Sequence, residues 1–387
     1  MKKTLVILMA MIVGLGVTAQ TNKPNRLKLQ LKNGDTKVYD MANVDKITFE
    51  YVKPQRTTDL PPLRFTVPTS FTGSYVQKVM YDGMKVAEIC LEYIKPLGER
   101  RVVAYPIDEN GDPDLTAGVS LSDGGSVKWN SAENIVTYEA GEQALTEAYI
   151  VNSYVIADQP EGEIQTATVE PELLDDVRGD EENHYAIVKI GTQFWMAENL
   201  ATQRYTNGEN LPLMSSADVT TWNANTTGAC HKYGDNDDMA TVYGLLYNGY
   251  AVTSENGLAP EGWEVPTIDQ WKALKSYGGA KSANYKDEVP MSWSGWKEPG
   301  EEGAENNPNN ITGFSALPGG YYGASATGDS DEYVDAWFWS STEYYDALSR
   351  SNTLNTTRMN AVAPGFVIYD TSGHAFNFGH SVRCIRK

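Results

Sequence analysis

The sequence predicts a multidomain protein, with an all-β N-terminal part (a hairpin, then a β-sandwich-like unit) and a compact α+β domain at the C-terminal end. Three observations carry this reading. The 387 residues suffice for two or three domains, at roughly 100–200 residues each. Between residues 63 and 158, short apolar–polar alternations recur with turn residues between them, and no helical period competes. Trp129 is the only tryptophan before residue 190 and eight follow it, so the composition changes partway along the chain.

The elements follow in order. Residues 1–19 carry Lys2 and Lys3, an apolar run from Leu5 to Val17 and small residues up to Ala19. This is the pattern of a secretory signal cut before Gln20. The run is too short to span a bilayer, which takes about 20 apolar residues. A lipid anchor needs a cysteine at the cut, and the first cysteine is Cys90. The expectation is an exported chain, in the periplasm or at the cell surface, without a direct membrane span. Residues 20–53 alternate around Asn33-Gly34, a strong hairpin signal, and 54–62 read as a linker. In 63–158, Asp82-Gly83 divides two strand-like runs, and further runs fill out a small sandwich. Cys90 lies on one of them as a small buried apolar residue. Residues 159–183 are acidic, with Pro160 and Pro171 and Arg178 as the one cation, and read as a solvated linker. Residues 184–387, rich in indoles and glycine turns, form the last domain.

The formal charge is −20, and loss of Lys2 and Lys3 makes it more negative still. Such a field repels phosphate backbones and anionic lipid, so nucleic-acid binding is disfavoured. Solubility is its plain meaning.

Seven blocks of the last domain, VKIGTQFWMAENLAT (188–202), CHKYGDND (230–237), YGLLYNGYAV (243–252), LAPEGWEVPTIDQW (258–271), ITGFSALPGGYY (311–322), FWSSTE (338–343) and SVRCI (381–385), occur in this order. Together they resemble the Fibrobacter succinogenes major paralogous domain, common in exported proteins of the Bacteroidetes. That family is similar to the C-type-lectin-like superfamily, and its GW-VPT--QW block to the RLPTEAEW block of formylglycine-generating enzymes. The resemblance implies a helix packed on a sheet with its aromatics toward the core. The residues agree, since Thr267 and Gln270 form a capping-box pattern, and Trp271, Leu274 and Tyr277 make one helical stripe. Trp263 precedes the cap and is expected to fold back over the first turn. Both indoles are therefore read as structural rather than as a ligand platform.

No catalytic constellation emerges. There is no H-E-x-x-H, G-x-S-x-G, P-loop or dinucleotide glycine fingerprint. The related formylglycine-generating enzymes need active-site cysteines, whereas this domain has only Cys230 and Cys384. His184, His231, His374 and His380 are too scattered in sequence to suggest zinc. Where the family often carries a cysteine this chain has Ala259, so a disulfide from Cys384, plausible in an oxidising setting, would have to reach Cys230.

Two stretches are candidates for binding. In GDNDDM (234–239), Asp235, Asp237 and Asp238 are oxygen donors suited to Ca²⁺, but a capped helix start explains them better. No other cofactor is implied. The stretch from Trp293 to Asn310 combines Trp293, Trp296, Glu298, Asn306, Asn307 and Asn309, and Tyr321 and Tyr322 are expected on the same rim. An aromatic face beside hydrogen-bonding side chains suits sugar rings or peptide side chains. In C-type lectins the resemblance implies a comparable long loop that binds sugar through Ca²⁺. The expected function is an exported, non-enzymatic binding protein for a glycan or a protein surface. Alternatives are a structural or tip subunit of a surface appendage or assembly, and a carboxylate-dependent glycan-active enzyme.

Overall fold

The computed structural model describes residues 26–30, 36–40, 60–95, 97–122, 124–130, 133–287, 308–323, 329–332, 335–360 and 365–387. The signal segment 1–19 and most of the linker 54–62 lie outside these residues. The N-terminal hairpin strands are present: Arg26–Gln30 pairs antiparallel with Thr36–Asp40, with Gln30 opposite Thr36, while Asn33-Gly34 lies outside the described residues.

The following unit is built of sheets. Val76–Tyr81 turns into Met84–Ile94 at Asp82 and Gly83, both with positive φ (49° and 76°). That conformation matches the twist of a two-residue hairpin and favours Asp-Gly. Met84–Ile94 then pairs with Glu99–Pro106. Along this sheet Ile89 and Leu91 enter one apolar core and Cys90 enters another, because successive side chains point to opposite faces. A strand covered on both faces needs a near-continuous apolar run, and Val86–Leu91 provides it.

The second cover comes from the C-terminal part, and here the expectation of an acidic linker is overturned. Gln165–Thr166 pairs with Leu63–Thr66, and Thr168–Pro171 with Val76–Tyr81. Leu173–Arg178 pairs with Glu181–Ile190, which runs straight through the expected boundary at 183/184. The carboxylates misled because six of the nine are exposed, at outward strand positions or in the connections between strands. Asp176, the inward one, is paired at 2.7 Å with Arg178.

The chain from Leu173 on is β-rich with short helices. Glu181–Ile190 continues through Gln193–Met196, which meets the C-terminal strand Ile385–Arg386 at Trp195↔Ile385. Trp263–Glu264 closes this sheet. A larger sheet holds Leu246–Asn248, Gly379–Ser381, Gly319–Tyr322, Asp335–Asp346, Ser351–Asn360 and Phe366–His374. Between them lies the helix Ile268–Gly278. Thr267 Oγ1 accepts from Gln270 N at 3.3 Å, and Gln270 Oε1 accepts from Thr267 N at 2.7 Å, so the capping box forms. Trp271 is fully buried, 4.9 Å from Trp195 and 5.4 Å from Phe338. Trp263 is buried too. It pairs with Arg386 in the sheet and packs in a different cluster from Trp271. Arg383 of the SVRCI block is buried, donates to Asn199 Oδ1 (2.8 Å) and Ser315 O (3.2 Å), and lies 4.5 Å from the Phe314 ring.

The two β parts share their cores. Tyr75 N donates to Ile187 O at 3.1 Å, and Lys189 Nζ meets Glu92 at 2.5 Å with both side chains buried. Arg386 reaches Glu88 at 3.3 Å, and Tyr277 Oη donates to Tyr93 O at 2.5 Å.

The expected Cys230–Cys384 disulfide is absent, and all three cysteines are free and buried. Cys90, expected in a separate domain, lies in the same apolar cluster as the other two. Burial pushes all three thiols up. Each behaves as a small hydrophobe.

Candidate functional site

Trp293, Trp296, Glu298, Asn306 and Asn307 lie outside the described residues. Asn309 is exposed, and with Tyr75, Arg100, Trp129 and Asp287 it lines a cavity of about 80 Å³ between the two β parts. Tyr321 and Tyr322 do not share a rim, because adjacent residues of a strand face opposite ways. Tyr322 is buried, stacked on His231 at 3.8 Å, with its hydroxyl on Ser215 O at 3.2 Å. Tyr321 is half-buried on the other face.

The calcium candidates do not converge. The Asp235 carboxylate accepts from Ser216 N at 2.9 Å, and Asp237 pairs with Lys232 at 2.5 Å. Asn236 caps the helix Asp237–Tyr243 by accepting from Asp238 N at 2.8 Å. Among the described residues no three His, Cys, Asp or Glu side chains group as a metal site. The capped helix start is what GDNDDM encodes.

Around Tyr321 a different site assembles. In the strand Asp335–Asp346, Trp337 and Trp339 alternate with Phe338, so both indoles take one face and Phe338 enters the core behind Trp271. Trp337 lies opposite Arg358, which lies opposite Val367. The register of the outer strand slips between Leu354 and Thr356. Gly373 permits the approach there, because a Cβ would meet Leu354 O at 2.5 Å. That turn of chain delivers His374 to the indole.

The Trp337 ring lies near-parallel to Tyr369 (5.6 Å, 18°) and to His380 (5.5 Å, 19°). Tyr321 meets it edge-on at 6.1 Å, and the Arg358 guanidinium sits 5.1 Å from its centroid. Phe378 packs 4.5 Å from His374. Trp337 and His380 are buried, while Tyr321, Tyr369, His374 and Phe378 are half-buried and form the outer surface. Asp335 holds Arg358 at 2.5 Å, so the rings surround a neutralised pair.

His374 Nδ1 and His380 Nε2 are 2.7 Å apart, and one must donate to the other. His380 Nδ1 is buried without a hydrogen-bond partner. A bare lone pair there costs less than an orphaned N–H, so His380 donates through Nε2 and His374 keeps its proton on Nε2. Burial pulls His374 down to about 4 and His380 well below its ordinary range, with His374 adding to the effect. Both rings are neutral at pH 7. The arrangement offers flat apolar faces, hydrogen-bond donors and little net charge.

Sequence reasoning found only Tyr321 of this cluster. The alternation W-F-W at 337–339 was the available signal. The contributions of Tyr369, His374 and Phe378 depend on strand pairing.

A β-rich protein is thus defined, in which a capped helix bearing a buried tryptophan supports a sheet with an aromatic outer surface. Residues 188–386 match the model of the Fibrobacter succinogenes major domain, and the chain belongs to that family. No curated protein and no solved structure matches the chain.

Proposed function

We propose that the chain is an exported, non-enzymatic binding protein. Its C-terminal domain is read as C-type-lectin-like, recognising a glycan or a protein surface through the rings around Trp337. The observation that supports this is the half-buried set Tyr321, Tyr369, His374 and Phe378 arranged about one indole. Such faces stack on the C–H surfaces of sugars or on apolar side chains, and neighbouring donors set orientation. Glycan-array screening of the full chain tests the reading, followed by titration of each positive glycan against Tyr369→Ala. Binding lost with the fold intact supports it, and binding indifferent to Tyr369 and Tyr321 refutes it.

A role in a surface assembly is the second reading. It draws on the hairpin of Asp335–Asp346 and Ser351–Asn360, whose tip exposes Leu348 (95%) and Tyr345 (59%). Co-purification with a surface complex, abolished by Leu348→Asp, would favour it over glycan recognition.

A further inference from the structure

Three polar side chains meet in the interior beside the ring surface, on the strand face that also carries Trp337. Asp335 and Asn360 lie directly opposite each other on antiparallel strands. Lys286 arrives from the segment after the helix, held by its bridge to Ala316 and by Asp287 N on Ala316 O at 3.0 Å. Lys286 and Asp335 are fully buried and Asn360 nearly so.

Their geometry is ordered. Arg358 holds one oxygen of Asp335, with Nε at 2.7 Å and Nη2 at 2.5 Å from Oδ2. The other oxygen, Oδ1, accepts from the Asn360 carboxamide nitrogen at 2.5 Å. Lys286 Nζ donates to the main-chain oxygen of the same Asn360 at 3.4 Å and feels the charge of Asp335. Carboxylate, carboxamide and amine therefore occupy one water-poor site.

The amine differs from Lys85 and Lys272. Nearby carboxylates hold Lys85 and Lys272 up, whereas burial outweighs Asp335 and pulls Lys286 down to about 8. An amine with a lowered pKa is more often neutral and nucleophilic.

We propose that Lys286 and Asn360 become joined by an intramolecular isopeptide bond, with Asp335 relaying the proton. The Lys286 nitrogen attacks the Asn360 side-chain carbon, and a C–N bond forms there. Asp335 takes a proton from the attacking nitrogen and returns it to the carboxamide nitrogen, whose bond to carbon breaks. The lysine ammonium is replaced by one released ammonium ion, so charge and atoms balance without an oxidant or cofactor. Orienting the groups in the fold makes the step effectively unimolecular, and burial keeps water from competing. The product ties the segment following the helix to the sheet strand Ser351–Asn360.

The test is peptide mass mapping of the full chain after denaturation and trypsin digestion. The expected result is a branched peptide containing positions 286 and 360, one ammonia lighter than its two parts, with no cleavage after Lys286. The Lys286→Met and Asp335→Ala variants should yield the unlinked peptides. Intact mass alone does not decide, because an N-terminal glutamine also loses ammonia on cyclising. Wild-type peptides that are linear, with cleavage after Lys286, overturn the proposal whether or not the variants fold. A branched peptide that persists in Asp335→Ala overturns the relay.

Discussion

The indole nitrogen of Trp271 donates to the main-chain oxygen of Trp339 at 3.3 Å. One helix residue thereby fixes the strand whose opposite face carries the ring surface. The helix is the inner support, and the strand transmits its position to Trp337 two residues earlier.

Trp271→Ala should destabilise the protein by about 3–5 kcal/mol, through lost burial and the cavity left behind. Thr267→Ala should cost about 1 kcal/mol, the usual value of an N-cap. Urea unfolding measures both. A Trp271 variant with an unchanged midpoint would show that the indole is not a core anchor.

Tyr369→Ala and Tyr321→Ala should each change stability by less than about 1.5 kcal/mol, since both rings are half-buried. Against any glycan found on the array, each should weaken binding by about tenfold or more, within the range of aromatic contacts. Trp337→Ala should lower stability and binding together. Calorimetric titration alongside thermal melts separates the two effects.

Stability should fall as pH drops below about 6.5. The folded protein keeps His374 and His380 neutral, with His374 pulled down to about 4. The unfolded chain takes up protons near pH 6.5. Below that pH the unfolded state binds protons that the folded state refuses, so this contribution is fully present above about 6.5 and lost toward about 4. A His374→Phe variant should lose less stability than wild type across that window, by up to about 3 kcal/mol. Equal slopes for both proteins would count against the neutral pair.

Glu92→Ala should cost about 3–5 kcal/mol, because it leaves the Lys189 ammonium buried without its carboxylate. The two β parts should unfold in one calorimetric transition, before and after this change, since they share apolar cores. Two separated transitions would contradict the shared cores.

Thiol titration of the unreduced, denatured protein should detect all three cysteines, and the native protein should react slowly at each. Burial and the raised thiol pKa values limit the thiolate that reacts. A single thiol after denaturation would restore the disulfide.

Signals that act over a few residues were legible in the sequence. The pairing of the first two strands, the Asp82-Gly83 hairpin, the Thr267–Gln270 capping box, the buried stripe of Trp271 and Leu274 and the helix start at Asn236 all formed as read. Each depends on backbone conformation or periodicity that neighbouring residues set themselves. The acidic stretch 159–183 was misread because composition hides which carboxylates point outward, and only pairing with Val76–Tyr81 and Glu181–Ile190 sorts them.

The sequence by itself determined the β-rich class, the family blocks and the turns between strands, since local steric preference and apolar period decide those. The tertiary structure alone decided which residues meet. It merged two expected domains across shared cores, kept Cys230 and Cys384 as free thiols, and turned Tyr322 inward and Tyr321 outward. It also gathered Trp337, Tyr369, His374, Phe378 and His380 onto one face. Such meetings rest on strand register, and a register shift of one residue turns every side chain to the other face. Register is set by pairing between segments far apart in the chain, which no short stretch of sequence contains.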